Sequence, residues 1–399
     1  MKKFLAVILA LTMVLALVAC GGGNSTTNTD TPAPAETTQP AETDAGNEPA
    51  EPAEPAAESI RVAMITDYGD ITDQSFNQTT YEAAKSWSEA NGADFTYFKP
   101  ASDSDDDRVA MIEKAIDEGY GVVVMPGYAF GPAIVATAPE YDDVIFIALD
   151  VSAGDLGEGF DVPENLYCAV YQEEICGYMA GYAAVKLGYS KLGFLGGMAV
   201  PAVVRYGYGF VQGADAAAAA DGKTDVSLKY AYGNQFYGDG DITAAMDTWY
   251  ADGTEVVFAC GGGIFTSAAE AAAKVGGKVI GVDVDQAATI DGAYGEGMTV
   301  TSAMKGLTAT VNTLLTAVQE GTFSGGKVDN LGLVSANPEE NYVQLPIEST
   351  QWNDTFTQDD YAALVADLFG GKVSVSSDIT KSATDMASTI TVTDLGNIK

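Results

Sequence analysis

Short β-branched apolar runs alternate with helical patterns along this chain, and that alternation restricts its fold more than any other feature. The first unit shows the form. Residues 59–66 have the length and composition of a strand, the Gly- and Asp-rich turn over 67–73 follows, and a helical pattern starts at Gln74. Asp73 is placed to cap that helix, since its carboxylate can accept from the free N–H groups two or three residues on. Phe76 and Asn77 fall in the first turn, at the loop mouth, while Ala83, Ala84, Trp87 and Ala90 recur at core spacing.

Strand-like runs recur over 94–99, 121–125, 144–149 and 166–171, with helical patterns around 107–117 and 132–138. The series is then repeated, with strands over 192–195, 227–231, 256–260 and 279–282 and helices near 200–220, 242–250, 264–275 and 286–294. Units of roughly 25 to 30 residues in this order predict an α/β fold in which a parallel sheet with helices on both faces is built twice. The 399 residues suffice for two such lobes, and a cleft between them is the natural ligand site. Beyond these, 298–303 reads as a strand, a helix opens at Lys305 and runs to 320, and 342–347 reads as a further strand. From Val373 the Ser/Thr-rich sequence alternates only weakly.

The N-terminus has a separate purpose. Lys2 and Lys3, the apolar residues 4–17 and the run Leu17-Val18-Ala19-Cys20 read as an export signal ending in a lipobox, so the mature chain is expected to begin at a lipidated Cys20. Residues 21–58 carry eight acidic residues, no basic ones and no aromatics, the composition of a disordered tether. No later apolar run is long enough to span a bilayer, which leaves the lipid as the membrane attachment. The formal charge of −37 argues against nucleic acid as a partner. The absence of histidine removes Ser-His-Asp and Cys-His catalysis and the commonest transition-metal ligand. Cys168, Cys176 and Cys260 form no even-numbered framework; a Cys168–Cys176 bridge is one reading, and two buried free thiols suit the apolar context better.

Acids end several strands: Asp67, Asp150 and Asp283. Any one alone reads as an ordinary cap or turn residue, but three at the carboxyl ends of parallel strands should face one crevice. Ionised carboxylates there accept from hydroxyl and N–H groups and repel anions, which favours a neutral ligand rich in such donors. Phe76 from the first half, with Phe236 or Tyr237 from the second, can sandwich a flat ligand. Gly261-Gly262-Gly263 lets backbone approach closely, yet no Lys-Ser/Thr follows and no G-x-G-x-x-G precedes, so no nucleotide cradle is indicated. Lys305 is either a snorkelling surface lysine or a bridge between ligand hydroxyls and the cleft carboxylates. The acidic run over 103–107 lacks the Gly and Glu of a calcium loop and reads as a helix start, and no metal or cofactor is called for.

Asp67-x-Gly69 to Asp73-x-Ser75-Phe76-Asn77-Gln78, Gly193-Phe194-Leu195-Gly196-Gly197 with Arg205 and Gly209-Phe210, Cys260-Gly261-Gly262-Gly263, and Gly281-Val282-Asp283-Val284-Asp285-Gln286 resemble, in order and spacing over roughly 60–326, the basic membrane protein family of lipoproteins. The resemblance implies a type I periplasmic-binding-protein fold, two doubly wound parallel-sheet lobes joined by a multi-strand hinge. It implies a purine-nucleoside receptor (inosine, guanosine or adenosine) of an ABC importer, partnered by a permease and acting as a monomer rather than an enzyme. Phe76 and Phe236 would stack the base, Asn77 and Asp150 would bind its edge, and Asp67, the backbone at Gly261 or Gly262, Asp283 and Lys305 would hold the ribose. On this pattern the signal is 1–20 and the tether 21–58; lobe 1 is 59–170 plus 300–330, lobe 2 is 171–299 plus 331–372, and 373–399 is unassigned. The chain would cross between lobes near Val170, Val300 and Leu331. Tyr68 and Asp70 replace a glycine-richer turn, and Tyr237 is an additional aromatic. Two rival readings remain on the residues alone: a binding protein for another small neutral ligand, such as a sugar or signal molecule, and a nucleoside hydrolase using Asp67, Asp150 and Asp283.

Overall fold

A computed structural model describes residues 60–399, so the export signal, Cys20 and the tether lie outside the described residues. The first sheet takes its strands from β1 (Arg61–Ile65), β2 (Asp94–Phe98), β3 (Val122–Pro126), β4 (Ile145–Leu149) and β5 (Leu166–Tyr171). Between them run α1 (Phe76–Asn91), α2 (Asp105–Asp117), α3 (Gly131–Thr137) and the short α4 (Ala153–Leu156). The second half begins with α5 (Glu173–Lys186) and continues through β6 (Lys191–Gly196), α6 (Pro201–Asp221), β7 (Ser227–Tyr232), α7 (Gly240–Ala251), β8 (Val256–Cys260) and α8 (Phe265–Val275). It goes on through β9 (Lys278–Asp283), α9 (Ala287–Tyr294) and β10 (Thr299–Lys305). The chain then passes through α10 (Leu307–Gln319), β11 (Lys327–Leu331), β12 (Val343–Gln344), α11 (Gln358–Phe369) and β13 (Thr391–Asn397).

The sheet orders are β11-β5-β4-β3-β1-β2 and β12-β10-β9-β8-β6-β7-β13. Among the described residues every pairing between these strands is parallel except β10 with β12. Alternate residues of the first sheet feed opposite faces: Val62, Met64, Val124, Ile147 and Leu149 pack in one core, Ala63, Ile65, Val123, Phe146 and Ala148 in another. That double burial is why these strands read as nearly continuous apolar runs. Cys168, Cys176 and Cys260 are buried free thiols. Burial pushes the Cys168 thiol up to about 12. Ser104 caps α2 through the N–H of Asp107, and Asp103 and Asp105 pair with the buried Arg108, so the acidic run opens a helix.

Four features correct the sequence reading. Thr299–Lys305 hydrogen-bonds to β9 and belongs wholly to the second sheet, so the second crossing falls at Gly306 rather than near Val300. Lys305 therefore ends a strand and does not open a helix; α10 begins at Leu307. Only Val343–Gln344 of 342–347 forms a strand, and Ala90 faces solvent at the end of α1. The segment from Val373 leads into β13, which adds a parallel edge strand to β7.

The three crossings lie side by side. Gln172 N–H donates to Leu331 O at 2.9 Å, Gly306 N–H to Tyr342 O at 2.7 Å and Tyr342 N–H to Gly332 O at 3.0 Å. Beneath them α5 and α6 pack backbone to backbone: a Cβ on Gly177 or Gly181 would strike the carbonyls of Tyr206 or Phe210, and one on Gly209 or Gly213 those of Glu174 or Tyr178. Two glycine pairs at four-residue spacing thus set the closest helix approach in the second lobe. Among the described residues no helix is long and apolar enough to cross a membrane.

Candidate functional site

A cavity of about 590 Å³ opens at the carboxyl ends of the strands of both sheets. All nine residues singled out from the sequence as ligand contacts lie on its wall: Asp67, Phe76, Asn77, Asp150, Phe236, Gly261, Gly262, Asp283 and Lys305. The topology explains the convergence. Asp67 follows β1, Asp150 follows β4, Phe236 lies in the loop after β7, Gly261 and Gly262 follow β8, and Asp283 and Lys305 end β9 and β10.

Asp67 is buried in its own turn, its Oδ1 accepting from the N–H groups of Tyr68 at 2.6 Å and Gly69 at 2.7 Å. Burial pushes its carboxyl above the usual range, against the pull of those two donors. Asp73 caps α1 from outside the helix, accepting from the N–H groups of Ser75, Asn77 and Gln78. Its Oδ2 also accepts from Asn77 Nδ2 at 3.2 Å, which fixes the amide at the cavity wall.

Lys305 is the centre of the charge arrangement. Its Nζ lies 2.5 Å from Asp150 Oδ2, 3.6 Å from Asp283 Oδ1 and 3.7 Å from Glu173 Oε1, and it sits 4.6 Å from the centroid of the Phe76 ring. Burial alone would lower its pKa, but Asp150, Asp283 and Glu173 outweigh burial and hold the ammonium protonated. Lys305 is buried, which overturns the reading as a snorkelling surface lysine. Sequence reasoning did not anticipate the partners behind it. Glu173, fully buried at the start of α5, accepts from Arg205 Nε at 2.7 Å, and Ser75 Oγ donates to Asp283 Oδ2 at 2.6 Å across the two sheets. Burial raises both Glu173 and Asp283 above the ordinary carboxylate range. The motif residue Arg205 was the one available signal, because an arginine drawn largely out of water requires an acid beside it.

Asp150 and Asp283 share a further trait. Both have left-handed backbone, φ 59° and 66°, as do Gln74 at 56° and Asn234 at 59°, and all four line the cavity. A non-glycine residue in that region carries strain that the surrounding structure must sustain. Here the carbonyl of Gln74 accepts from Gln286 Nε2 at 2.9 Å, a further direct tie between the halves.

The ring of Phe236 rests over Gly261, where a Cβ would come within 2.8 Å of it, and both Gly261 and Gly262 have positive φ, 141° and 51°. A side chain at Gly261 would displace the ring, and one at Gly262 would meet the Phe236 carbonyl oxygen at 2.8 Å. Tyr68, unforeseen as a ring neighbour, lies 6.5 Å from Phe236 between centroids. Tyr237 is 63% exposed, so Phe236 is the more enclosed of the two candidate aromatics.

Glu174 adjoins this network, with Oε2 lacking a hydrogen-bond partner among the described residues and 4.0 Å from Arg205 Nε. Burial pushes its carboxyl up to about 7. A carboxyl raised in the folded state costs stability as pH climbs from the ordinary value of 4.5 to about 7, since the native form must then give up a proton it holds more tightly than the unfolded chain. Glu174→Gln is therefore expected to remove about 3 kcal/mol of that decline. Urea unfolding across this range measures it, and an unchanged slope would show that Glu174 titrates normally.

Two α/β sheets with a walled cavity at their strand ends form an architecture that can enclose a small solute. The fold agrees with a solute-binding protein of an ABC transporter system from Aeropyrum pernix K1, with TM-score 0.62, 21% identity, and 82% of this chain and 90% of that one covered. It agrees equally with one from Conexibacter woesei DSM 14684, with TM-score 0.62, 24% identity, and 80% and 99% covered. Both support the type I periplasmic-binding-protein fold. The chain matches the Bmp family, described as ABC transporter substrate-binding protein PnrA-like, over residues 60–360, and it belongs to that family. The match extends the resemblance beyond position 326. Among curated relatives, the ABC transporter nucleoside-binding protein BmpA of Lactococcus lactis subsp. cremoris (strain MG1363) is 28% identical, with 80% of this chain and 89% of that protein covered.

Proposed function

We propose that this protein captures a purine nucleoside between its lobes and delivers it to an ABC permease while anchored by a lipidated Cys20 to the outer face of the cell membrane. The observation that carries the reading is the placement of Lys305 among Asp150, Asp283 and Glu173 with the Phe76 ring against it. Carboxylates in excess over cations at a cavity wall accept hydroxyl and N–H donors and disfavour phosphates. The rings of Phe76 and Phe236 suit the faces of a flat base, Asn77 and Asp150 its edge. Asp67, the backbone at Gly261 or Gly262, Asp283 and Lys305 suit a ribose. The Lactococcus relative is named a nucleoside-binding protein, which agrees with this assignment.

The protein acts as a monomeric receptor, and its work is closure on a ligand that touches both lobes. In the hydrolase reading Asp150 and Asp283 would serve as acid, base or metal ligands, but Lys305 already lies between them as their counter-charge. Titration calorimetry with inosine, guanosine and adenosine is expected to give at least one dissociation constant of about micromolar or tighter. No heat and no thermal shift with any of the three would refute the proposal, and release of free base from inosine would replace it with catalysis.

A further inference from the structure

The family match ends at residue 360, yet the chain beyond it is tied to the second lobe along one continuous line. Three residues on a single stripe of α6 hold the segment that precedes β13. Tyr208 Oη donates to Lys381 O at 2.7 Å. Gln212 exchanges hydrogen bonds with the backbone of Ser376 at 2.9 and 2.8 Å. Asp215 accepts from the N–H groups of Ser388, Thr389 and Ile390. The spacing of 208, 212 and 215 places these side chains on one helix face.

From there β13 runs parallel to β7, in register from Thr391 with Ser227 to Asp394 with Tyr230. The register then shifts before Asn397 pairs with Tyr232, a bulge that re-aims the strand. Ile398 N–H donates to Tyr232 O at 2.8 Å, and Lys399 Nζ pairs with Asp239 Oδ2. That same oxygen accepts from Gln235 Nε2 at 3.0 Å, and Gln235 Nε2 also reaches Tyr237 O at 2.8 Å. Asp239 Oδ1 meanwhile caps α7 through the N–H groups of Asp241 and Ile242. Lys399 thus closes a bracket around the loop that carries Phe236.

We infer that residues 373–399 form a strap whose last contact, Lys399 to Asp239, makes Lys399 a positioning residue for ligand capture through the Phe236 loop. The inference rests on Phe236 being a ligand contact, as proposed above. A ring on a loop must be held near its working position before binding, or the ligand has to order it at the expense of affinity. The left-handed Asn234 and the bonds Asn234 N–H to Gly197 O and Gly263 N–H to Phe236 O hold the two sides of the loop. Ser267 Oγ holds the Asp239 backbone from the inner side, accepting from its N–H at 3.0 Å and donating to its carbonyl at 3.1 Å, and Lys399 adds a side-chain anchor on the outer side. The pair is partly exposed, 34% for Lys399 and 29% for Asp239, so it contributes little to global stability. Positioning and stability can therefore be measured apart.

The test compares the ligand-free wild-type chain with Lys399→Met and Lys399→Arg by amide hydrogen exchange over residues 232–240. Lys399→Met is expected to exchange about fivefold faster there with an unchanged melting temperature, and Lys399→Arg to match wild type. Nucleoside dissociation should quicken by about the same factor in Lys399→Met, and the difference should vanish when both are measured in a Phe236→Ala background. Unchanged loop exchange in Lys399→Met, or an effect on dissociation that persists without the Phe236 ring, overturns the inference. If wild-type protein takes up no nucleoside while loop exchange still responds to Lys399→Met, the strap stands and the ligand assignment falls.

Discussion

Replacing Lys305 with methionine is expected to lower the unfolding free energy by about 3–5 kcal/mol at neutral pH, because it leaves buried carboxylates without their cation. Asp150, Asp283 and Glu173 all lie within 4 Å of its ammonium, and Glu173 would keep only Arg205. The sign of the pH dependence follows from the direction of the shift. A lysine held above its ordinary pKa stabilises the fold at every pH below that ordinary value, so its contribution is fully present at neutral pH. In the variant the orphaned carboxylates can relieve their repulsion by taking up protons, so the deficit should shrink in mildly acid solution. Urea unfolding at both conditions measures this, and a loss below about 1 kcal/mol would mean the network is solvated rather than buried. Lys305→Arg, which keeps the charge, is expected to recover most of the stability and separates the electrostatic loss from a failure to fold.

Phe76→Ala is expected to weaken nucleoside binding by about 2 kcal/mol or more, the size typical of a buried aromatic anchor at a binding site. The ring is half-buried at the start of α1 and lies against the Lys305 ammonium, so its removal takes away both a stacking face and a neighbour of the cation. The measurement is calorimetric affinity set beside the melting temperature. An unchanged affinity would detach this helix start from ligand recognition, whatever the state of the other residues.

The strands were legible because burial on both faces wrote them as apolar runs punctuated by Gly and Asp, and most boundaries fall within a residue or two of those read from the sequence. The helix α5 was not. Of its fourteen residues, eleven are buried, so no polar stripe marks a 3.6-residue period, and Gly177 and Gly181 serve as packing surfaces. β11, with the sequence Lys-Val-Asp-Asn-Leu, is a half-exposed edge strand without alternation. β10 appeared to stop at Ala303 because a lysine ordinarily seeks water; here three carboxylates from distant positions make it a core residue. The cavity residues at strand ends could be read one by one from their positions. Glu173 and Ser75 could not, since what identifies each is a partner 32 and 208 positions away.

The glycine contacts between α5 and α6 restrict how the protein can move. Helices whose backbones interlock at four points cannot slide past one another without driving carbonyls into Cα atoms, which opposes shear between α5 and α6. Glu173 and Arg205 ride on those two helices and travel together, whereas Asp150 follows a strand of the other lobe. Rotation about the three crossings is the motion left, and it would stretch Lys305 to Asp150, Ser75 to Asp283 and Gln286 to Gln74 while Lys305 stays beside Glu173.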